Sequence, residues 1–140
     1  MIKEIESLFV QRFIAERDRV KILGGLCNPS TREKAIERII YSLNLMSMNV
    51  CECYCENRVT EKQFWDEINA FTDTRESCYV IANTRYDGQV VPFAVAFGDM
   101  IKTKELYVIV CKGVNLVIIK DLALYGSLPM KRMFLYQERR

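Results

Sequence analysis

The stretch Glu105-Leu-Tyr-Val-Ile-Val-Cys-Lys-Gly-Val-Asn-Leu-Val-Ile-Ile-Lys120 decides the fold. It consists of two apolar runs, Leu106–Cys111 and Val114–Ile119, on either side of Lys112-Gly113. Valine, isoleucine and tyrosine, which suit the pleated surface of a sheet, dominate both runs. Two such runs around a short glycine-bearing break predict a β-hairpin. Because the runs are almost continuously apolar, we expect this hairpin in the middle of a sheet that is covered on at least one face.

Period-two patterns around this hairpin predict the other strands. Residues 77–85 and 89–97 form the first two, joined at Tyr86-Asp87-Gly88-Gln89, since Asp-Gly accepts the positive φ of a tight hairpin turn. Pro92 cannot donate a ladder hydrogen bond, so its strand is expected to be bulged or to lie at an edge. The remaining predicted strands are 105–111, 114–120 and 131–137.

Helical spacing of apolar residues predicts three helices before the sheet. The first spans about 2–21, and the pair Gly24-Gly25 stops it, because paired glycines weaken a helix. The second spans about 31–55; its stretch Val50–Cys55 also alternates with a period of two, which leaves a strand open there, although the earlier stripe favours helix. The third spans about 61–72 and follows Thr60-Glu-Lys-Gln63, which has the form of a capping box.

The order of these elements predicts a single α+β domain over residues 1–140. We expect three N-terminal helices packed on one face of a C-terminal, mainly antiparallel sheet of about five strands, because short connections join antiparallel neighbours. The length fits one domain.

Composition narrows the class of protein. Half of the residues are apolar and 27% are charged, which is typical of globular proteins, and the net charge of +2 is small for a dedicated nucleic-acid binder.

The start of the chain lacks the apolar segment of a signal peptide, and no run reaches the ~20 apolar residues of a membrane span. We therefore expect a cytoplasmic protein without a membrane partner, with its six cysteines reduced. The chain has no histidine, which excludes Ser-His and Cys-His catalytic pairs.

Two groups of residues could carry metal chemistry, and simpler explanations compete with both. The spacing in Cys51-Glu-Cys-Tyr-Cys55 differs from the Cys-x₂₋₄-Cys knuckles of structural zinc, so these cysteines read as small buried apolar residues. Asp87, Asp99 and Glu105 could hold Mg²⁺ at strand ends, but the turn already explains Asp87. We expect no metal and no cofactor, and we keep a metal-dependent, nuclease-like enzyme as an alternative.

Basic residues give a second alternative, nucleic-acid binding. They are Arg12, Arg17, Arg19 and Lys21 near the first helix, and Lys131, Arg132, Arg139 and Arg140 at the end of the sequence. Glu16 and Asp18 interrupt the first group, so we rank nucleic acid below protein as a partner.

Without a catalytic set, the expected role is binding another protein. The chain would be a small non-enzymatic interaction module, such as an inhibitor, an immunity protein or a phage anti-defence-type regulator, with a partner of unknown identity and a homodimer as one form. The core uses the helix stripes and the central hairpin, so the contact surface should lie on loops and sheet edges, where arginine and tyrosine are enriched at binding hot spots. The predicted partner-binding residues are Arg85, Tyr86, Asp87, Lys102, Lys104, Tyr125, Lys131, Arg132 and Tyr136.

Overall fold

The computed structural model describes residues 2–44, 48–55, 62, 65, 66, 69, 75–103, 105–111, 116–125 and 128–138; for 2–3, 48–55, 121–125 and 128–138 the description covers the backbone. The chain has an α+β fold, in which helices pack against an antiparallel sheet. None of the helices in these ranges combines the length and the hydropathy that crossing a membrane requires.

The helices and strands have the following bounds. The α-helices are α1 (Ile2–Phe13), α2 (Arg19–Cys27), α3 (Arg32–Arg38) and α4 (Phe93–Lys102). Short 3-10 helices cover Glu16–Asp18 and Ile39–Ser42. The strands are β1 (Met48–Cys55), β2 (Ser77–Ala82), β3 (Val90–Pro92), β4 (Tyr107–Val110), β5 (Leu116–Tyr125) and β6 (Leu128–Glu138). Lys62, Trp65, Asp66 and Asn69 are helical, and the rest of the predicted helix 61–72 lies outside the described residues.

The six strands form one sheet in the order β1-β6-β5-β4-β2-β3, where about five strands were expected. The central hairpin is confirmed: β4 and β5 pair antiparallel, with Val110 opposite Val117, and lie in the middle of the sheet. β3, which ends at Pro92, is an edge strand, as the missing proline N–H requires. β6 is not an edge, because β1 pairs along it from Met48 to Cys55. Within the described sheet, β1 therefore covers the edge of the terminal strand from Arg132 to Glu138.

Helices cover both faces of this sheet. α1, α2 and α3 pack on the face that carries Tyr79, Ile81 and Val117, whereas α4 packs on the face that carries Val80 and Ile109. α1, α2 and α3 share one face, as expected of the N-terminal helices, whereas the cover that α4 gives the other face was not predicted. Every residue of β4 is buried, and side chains that alternate between two faces can all be buried only if both faces are covered.

The first helix is shorter than predicted. α1 ends at Phe13, and Ile14 forms an antiparallel bridge with Leu43. The pair Gly24-Gly25 lies inside α2 instead of stopping a helix. A Cβ atom on Gly25 would lie 2.8 Å from the Cβ of Ala35, so glycine at this position allows α2 and α3 to approach closely.

The predicted helix 31–55 is wrong beyond residue 42. α3 and the 3-10 turn after it end at Ser42, and Met48–Cys55 is strand β1. The period-two alternation of Val50–Cys55 prevails because β6 provides a pairing partner along this whole segment.

The predicted strand 89–97 is wrong beyond Pro92, because α4 begins at Phe93. Phe93, Phe97 and Met100 recur at helical spacing and are buried against the sheet. The stretch from residue 90 to 97 is apolar nearly throughout, and such a run does not distinguish a strand from a buried helix by its period.

A buried lysine fixes the end of α4. Lys120 on β5 is fully buried, and its Nζ donates hydrogen bonds to the carbonyl of Met100, at 3.0 Å, and to that of Thr103. The last carbonyls of a helix have no partner within the helix and carry partial negative charge, so they suit a cation. Lys120 thus joins α4 to the middle of the sheet.

Candidate functional site

The loop between β2 and β3, residues 83–89, carries three of the predicted partner-binding residues, Arg85, Tyr86 and Asp87. Three backbone hydrogen bonds set its shape: Asp87 N–H to the Thr84 carbonyl at 3.1 Å, Gln89 N–H to the Tyr86 carbonyl at 3.1 Å, and Gly88 N–H to the Val80 carbonyl at 2.8 Å. Gly88 has φ +73°, so the predicted positive φ is confirmed. The strands end at Ala82 and begin at Val90, so seven residues join them instead of the predicted tight turn after a strand reaching residue 85. We call this segment the 83–89 loop.

Arg85 and Tyr86 form a pair on the outside of this loop. The Arg85 Nη2 donates a hydrogen bond of 2.9 Å to the Tyr86 hydroxyl, and the Arg85 Cζ lies 4.8 Å from the centre of the Tyr86 ring. Arg85 is exposed, whereas Tyr86 is half-buried and packs against the core on the α4 side of the sheet. The Gln89 side chain adds a hydrogen bond of 2.8 Å to the Arg85 carbonyl. The pair is therefore both accessible and held in position.

Asp87 supports the loop from the inside. Its Oδ2 accepts a hydrogen bond from Arg32 Nε at 2.6 Å, and its Oδ1 accepts one from Arg32 Nη2 at 2.9 Å. The same Oδ1 accepts the Ala82 N–H at 3.1 Å. The side chain of Asp87 is 24% exposed. Of the three loop residues predicted to contact a partner, Asp87 thus has its carboxylate paired within the chain.

Arg32 also binds Glu6 on α1. Its Nη1 and Nη2 donate to the two Glu6 carboxylate oxygens at 2.9 and 2.6 Å, and Nη1 donates to the Leu26 carbonyl at 2.8 Å. Together with the bonds to Asp87, all five N–H groups of the guanidinium have acceptors. The hydrogen bonds that Arg32 donates to Glu6, and next those that it donates to Asp87, raise the pKa of Arg32 above its already high ordinary value.

Tyr79 completes this charge network, which consists of Glu6, Arg32, Tyr79 and Asp87. The Tyr79 hydroxyl donates to Glu6 Oε2. Burial, and then the hydrogen bond to Glu6, raise the pKa of Tyr79, so the phenol keeps its proton. A cavity of about 300 Å³ lies beside the network and is lined in part by Pro29 and Gly88. The network ties α1, α3, β2 and the 83–89 loop together.

Sequence reasoning missed this network. Glu6 precedes Phe9 by three residues, so helical geometry places the two on neighbouring positions of one face, and Phe9 is fully buried. A carboxylate next to a buried phenylalanine needs a cationic partner, so the position of Glu6 beside Phe9 was the sequence feature that could have predicted an ion pair. Nothing in the sequence indicates that the partner is Arg32, because the two come together only when α1 packs beside α3.

The other predicted partner-binding residues do not join this loop. Lys102 is exposed at the end of α4, and Lys104 lies outside the described residues. The backbone of Tyr125 ends β5 opposite Leu128, and that of Arg132 pairs with Asp121. Lys131 and Tyr136 are also on β6, and the description leaves out the side chains of these β5 and β6 residues. In the sheet order, β5 and β4 separate β6 from β2 and its loop.

The carboxylates considered for a metal site have separate contacts. Asp99 Oδ2 accepts a hydrogen bond from the Tyr107 hydroxyl at 2.8 Å, and Glu105 Oε2 accepts one from Asn83 Nδ2 at 3.0 Å. Asp87 is bound to Arg32. Within the described ranges, no three acidic or cysteine side chains form a group that could hold a metal ion. The cysteines Cys51–Cys55 have their backbone on β1, and their side chains lie outside the description.

The basic residues near the first helix are divided by the fold. Arg17 Nε lies 3.4 Å from Oδ2 of its neighbour Asp18, and Arg19 Nε donates a hydrogen bond of 3.0 Å to the Ile14 carbonyl. Lys21 is exposed on α2, where it faces a groove that Lys34 and Arg38 of α3 also line. The grouping of Lys21 with these two α3 residues could not be predicted, because no local pattern indicates the close contact between α2 and α3.

Comparisons with known proteins give no further guide to the function of these sites. No protein-family profile, characterised protein or solved structure matches the chain. What the protein does is therefore inferred from its own residues and contacts.

Proposed function

We propose that this chain is a non-enzymatic protein-interaction module that contacts its partner through the 83–89 loop, with Arg85 and Tyr86 at the centre of the contact. The observation that carries the proposal is the pair of exposed Arg85 and half-buried Tyr86 on a loop that the partly buried charge network holds in place. Arginine and tyrosine are among the residues most enriched at interface hot spots.

The rigidity of the loop favours binding. Association costs roughly 0.5–1.5 kcal/mol for each flexible side chain that becomes fixed, and loops that must be ordered add to this cost. In the 83–89 loop, the turn hydrogen bonds and the Asp87–Arg32 pair already fix the backbone. Tyr86 is anchored against the core, so its ring adds contact area at a small entropic cost.

The residues around the pair suggest the chemistry of the partner. Val90, on the edge strand next to the loop, is 57% exposed and offers an apolar contact. The exposed guanidinium of Arg85 suits a partner carboxylate, which arginine can bind through two parallel hydrogen bonds. The partner surface would therefore place an acidic residue beside an apolar patch. Such a module acts by occupying a surface of its partner, as inhibitors and immunity-type regulators do.

Affinity capture from the native host with three forms of the protein tests this proposal. They are the wild type, the double variant Arg85→Ala/Tyr86→Ala, and the control Arg17→Ala, whose side chain is 80% exposed and lies away from the loop. We expect one specific protein with the wild type and the control, and its loss with the loop variant. The complex should bury more than about 1,000 Å².

Two further measurements sharpen this test. Titration of the purified partner should show at least a tenfold loss of affinity for the loop variant, since removing a hot-spot residue costs about 2 kcal/mol or more. Light scattering tells a homodimer from a hetero-complex. Retention of the same partner at unchanged affinity by Arg85→Ala/Tyr86→Ala would contradict the proposal. A monomer that binds only nucleic acid, with an affinity that falls steeply with salt, would favour the alternative.

A further inference from the structure

A groove of about 350 Å³ between α2 and α3 is distinct from the 83–89 loop. Its floor is formed by Ile22 and the glycines Gly24 and Gly25, and its rim carries Lys21, Lys34 and Arg38. The volume lies within the range of small-molecule sites, roughly 300–1,000 Å³.

The residues that line the groove carry three positive charges and no negative charge. Lys21, Lys34 and Arg38 are all exposed, and no carboxylate is among the residues that line the groove. In the part of the chain that the structure describes, these three cations form no ion pair. Lys34 and Arg38 are four residues apart on α3, where like charges repel each other. Three converging cations without a carboxylate are the arrangement expected for binding an anion.

The floor of the groove is apolar and open. No atom lies within 4 Å of the position that a Cβ on Gly24 would occupy, so the helix backbone is bare at this point. Gly25 lies against Ala35, which closes the bottom of the groove. Without a side chain at Gly24, the groove has open space beside the helix backbone in which a planar ring can lie.

An exposed aromatic side chain follows the basic rim residue Arg38 in the sequence. Tyr41 is 82% exposed and belongs to the 3-10 helix Ile39–Ser42, which directly continues α3. It follows Arg38 by three residues, a spacing that places two side chains on one side of such a helix. Exposed aromatic rings beside cations are the usual means of stacking bases next to their phosphates.

We propose that this groove binds a nucleoside phosphate, either as a free mononucleotide or as one unit of a nucleic-acid strand. The phosphate lies against Lys21, Lys34 and Arg38, and the base lies on the glycine floor with Tyr41 nearby. A simple inorganic anion would leave the apolar floor unused, and an uncharged aromatic ligand would leave the three cations uncompensated. A nucleoside phosphate uses both features.

Titration calorimetry of the intact chain with four probes tests the ligand class. The probes are AMP, inorganic phosphate, adenosine and a short single-stranded oligonucleotide. We expect saturable binding of AMP, with phosphate and adenosine each at least about tenfold weaker, because each lacks one of the two contacts. The double variant Lys34→Gln/Arg38→Gln should bind AMP at least about tenfold more weakly, since two charge-assisted contacts are lost.

A matched pair of glycine variants tests the location. Gly24→Leu fills the groove with a side chain where the structure has open space, and Gly98→Leu makes the same change in open space on α4. Both variants should fold, because leucine favours helix more than glycine does. We expect Gly24→Leu to abolish AMP binding and Gly98→Leu to leave it unchanged.

The outcomes separate the two sources of the ligand and define failure. If the oligonucleotide binds at least about tenfold tighter than AMP, and Gly24→Leu abolishes that binding, the ligand is a nucleic-acid strand. If the oligonucleotide and AMP bind with equal affinity, the ligand is the mononucleotide. Three results would overturn the proposal: no saturable binding of AMP or oligonucleotide, phosphate binding as tightly as AMP, or binding that Gly24→Leu leaves intact. The Arg85→Ala/Tyr86→Ala variant should bind AMP normally, so this site can fail or succeed independently of the 83–89 loop.

Discussion

Arg32 binds Asp87 through two parallel hydrogen bonds, Nε to Oδ2 at 2.6 Å and Nη2 to Oδ1 at 2.9 Å, across 55 positions of sequence. Its remaining N–H groups bind Glu6 and the Leu26 carbonyl. One side chain thus joins three helices and a surface loop, and the orientation of that loop depends on a residue that no partner needs to touch.

Replacing Arg32 by methionine should lower the free energy of unfolding by about 2–4 kcal/mol. The change keeps an apolar stem of similar length but leaves the carboxylates of Glu6 and Asp87 without their cation. Removing one member of a buried ion pair costs about 3–5 kcal/mol, and the partial exposure of Arg32 and Asp87 reduces this cost. Urea denaturation measures the loss. Arg38→Met, the same change at an exposed site of the same helix, should stay within about 0.5 kcal/mol of the wild type. Equal stability of the two variants would contradict a structural role for the network.

The adjacent glycines of α2 should respond in opposite directions to alanine. Gly25→Ala would place a Cβ 2.8 Å from the Cβ of Ala35, so α2 and α3 must separate, and overpacking of this kind costs about 1–3 kcal/mol. Gly24→Ala meets open space and should stabilise the helix by up to about 1 kcal/mol. Melting temperatures of the two variants give the comparison. A higher melting temperature for Gly25→Ala would mean that the helices are not in close contact there.

Gly88 should tolerate asparagine better than valine. Its φ of +73° lies in the left-handed region, which asparagine adopts more readily than a β-branched residue. Gly88→Val should cost about 1 kcal/mol or more, and Gly88→Asn less. Chemical denaturation of both variants measures the difference. An unchanged stability of Gly88→Val would remove the left-handed turn from the 83–89 loop.

Alkaline conditions should destabilise the fold through Cys78 and Cys111. Burial raises the pKa of each thiol from an ordinary 9.0 to about 12. Above pH 9 the unfolded chain releases these protons while the folded chain retains them, so stability is complete below pH 9 and declines as pH rises toward 12. The decline reaches up to about 1.4 kcal/mol per pH unit for each thiol. The raised pKa of Tyr79 acts in the same direction at higher pH.

A set of cysteine variants isolates this effect. Unfolding free energies between pH 8 and 11 should fall less steeply for Cys78→Ala/Cys111→Ala than for the wild type. Cys27→Ala is the control, because Cys27 is exposed, and its slope should match the wild type. Identical slopes for all three proteins would mean that the buried thiols do not govern the alkaline transition.

Local sequence patterns predicted those elements whose structure depends mainly on residues close together in the sequence. The apolar runs around residue 110 gave the central hairpin, and Asp87-Gly88 gave the turn with its left-handed glycine. Two of the wrong assignments, helix at residues 48–55 and strand at residues 93–97, fall where the pattern fitted both structures. There the outcome depended on a distant partner: β6 for the first segment and the buried face of the sheet for the second.

The candidate sites were predicted only in part, for a related reason. The exposed Arg85–Tyr86 pair follows from its place next to a turn, and sequence alone could find it. The groove needs Lys21 from α2 beside Lys34 from α3, and the charge network needs Glu6 beside Arg32. Both sets come from separate helices, and the close contact at Gly25 brings α2 and α3 together. In the sequence, the pair Gly24-Gly25 resembles a helix stop, so the packing role of Gly25 could not be predicted.

The pairing of β1 with β6 bears on how the protein is made. Residues 48–55 have residues 132–138 as their partner, so a chain emerging from the ribosome carries β1 without that neighbour until β6 has been synthesised and released from the exit tunnel. At about 5–20 residues per second, that interval lasts several seconds. The N-terminal helices can form early, but the sheet closes only after translation has passed β6. During that time β1 is open to pairing with other nascent chains, and holdase chaperones that cover emerging segments would raise the yield of folded protein.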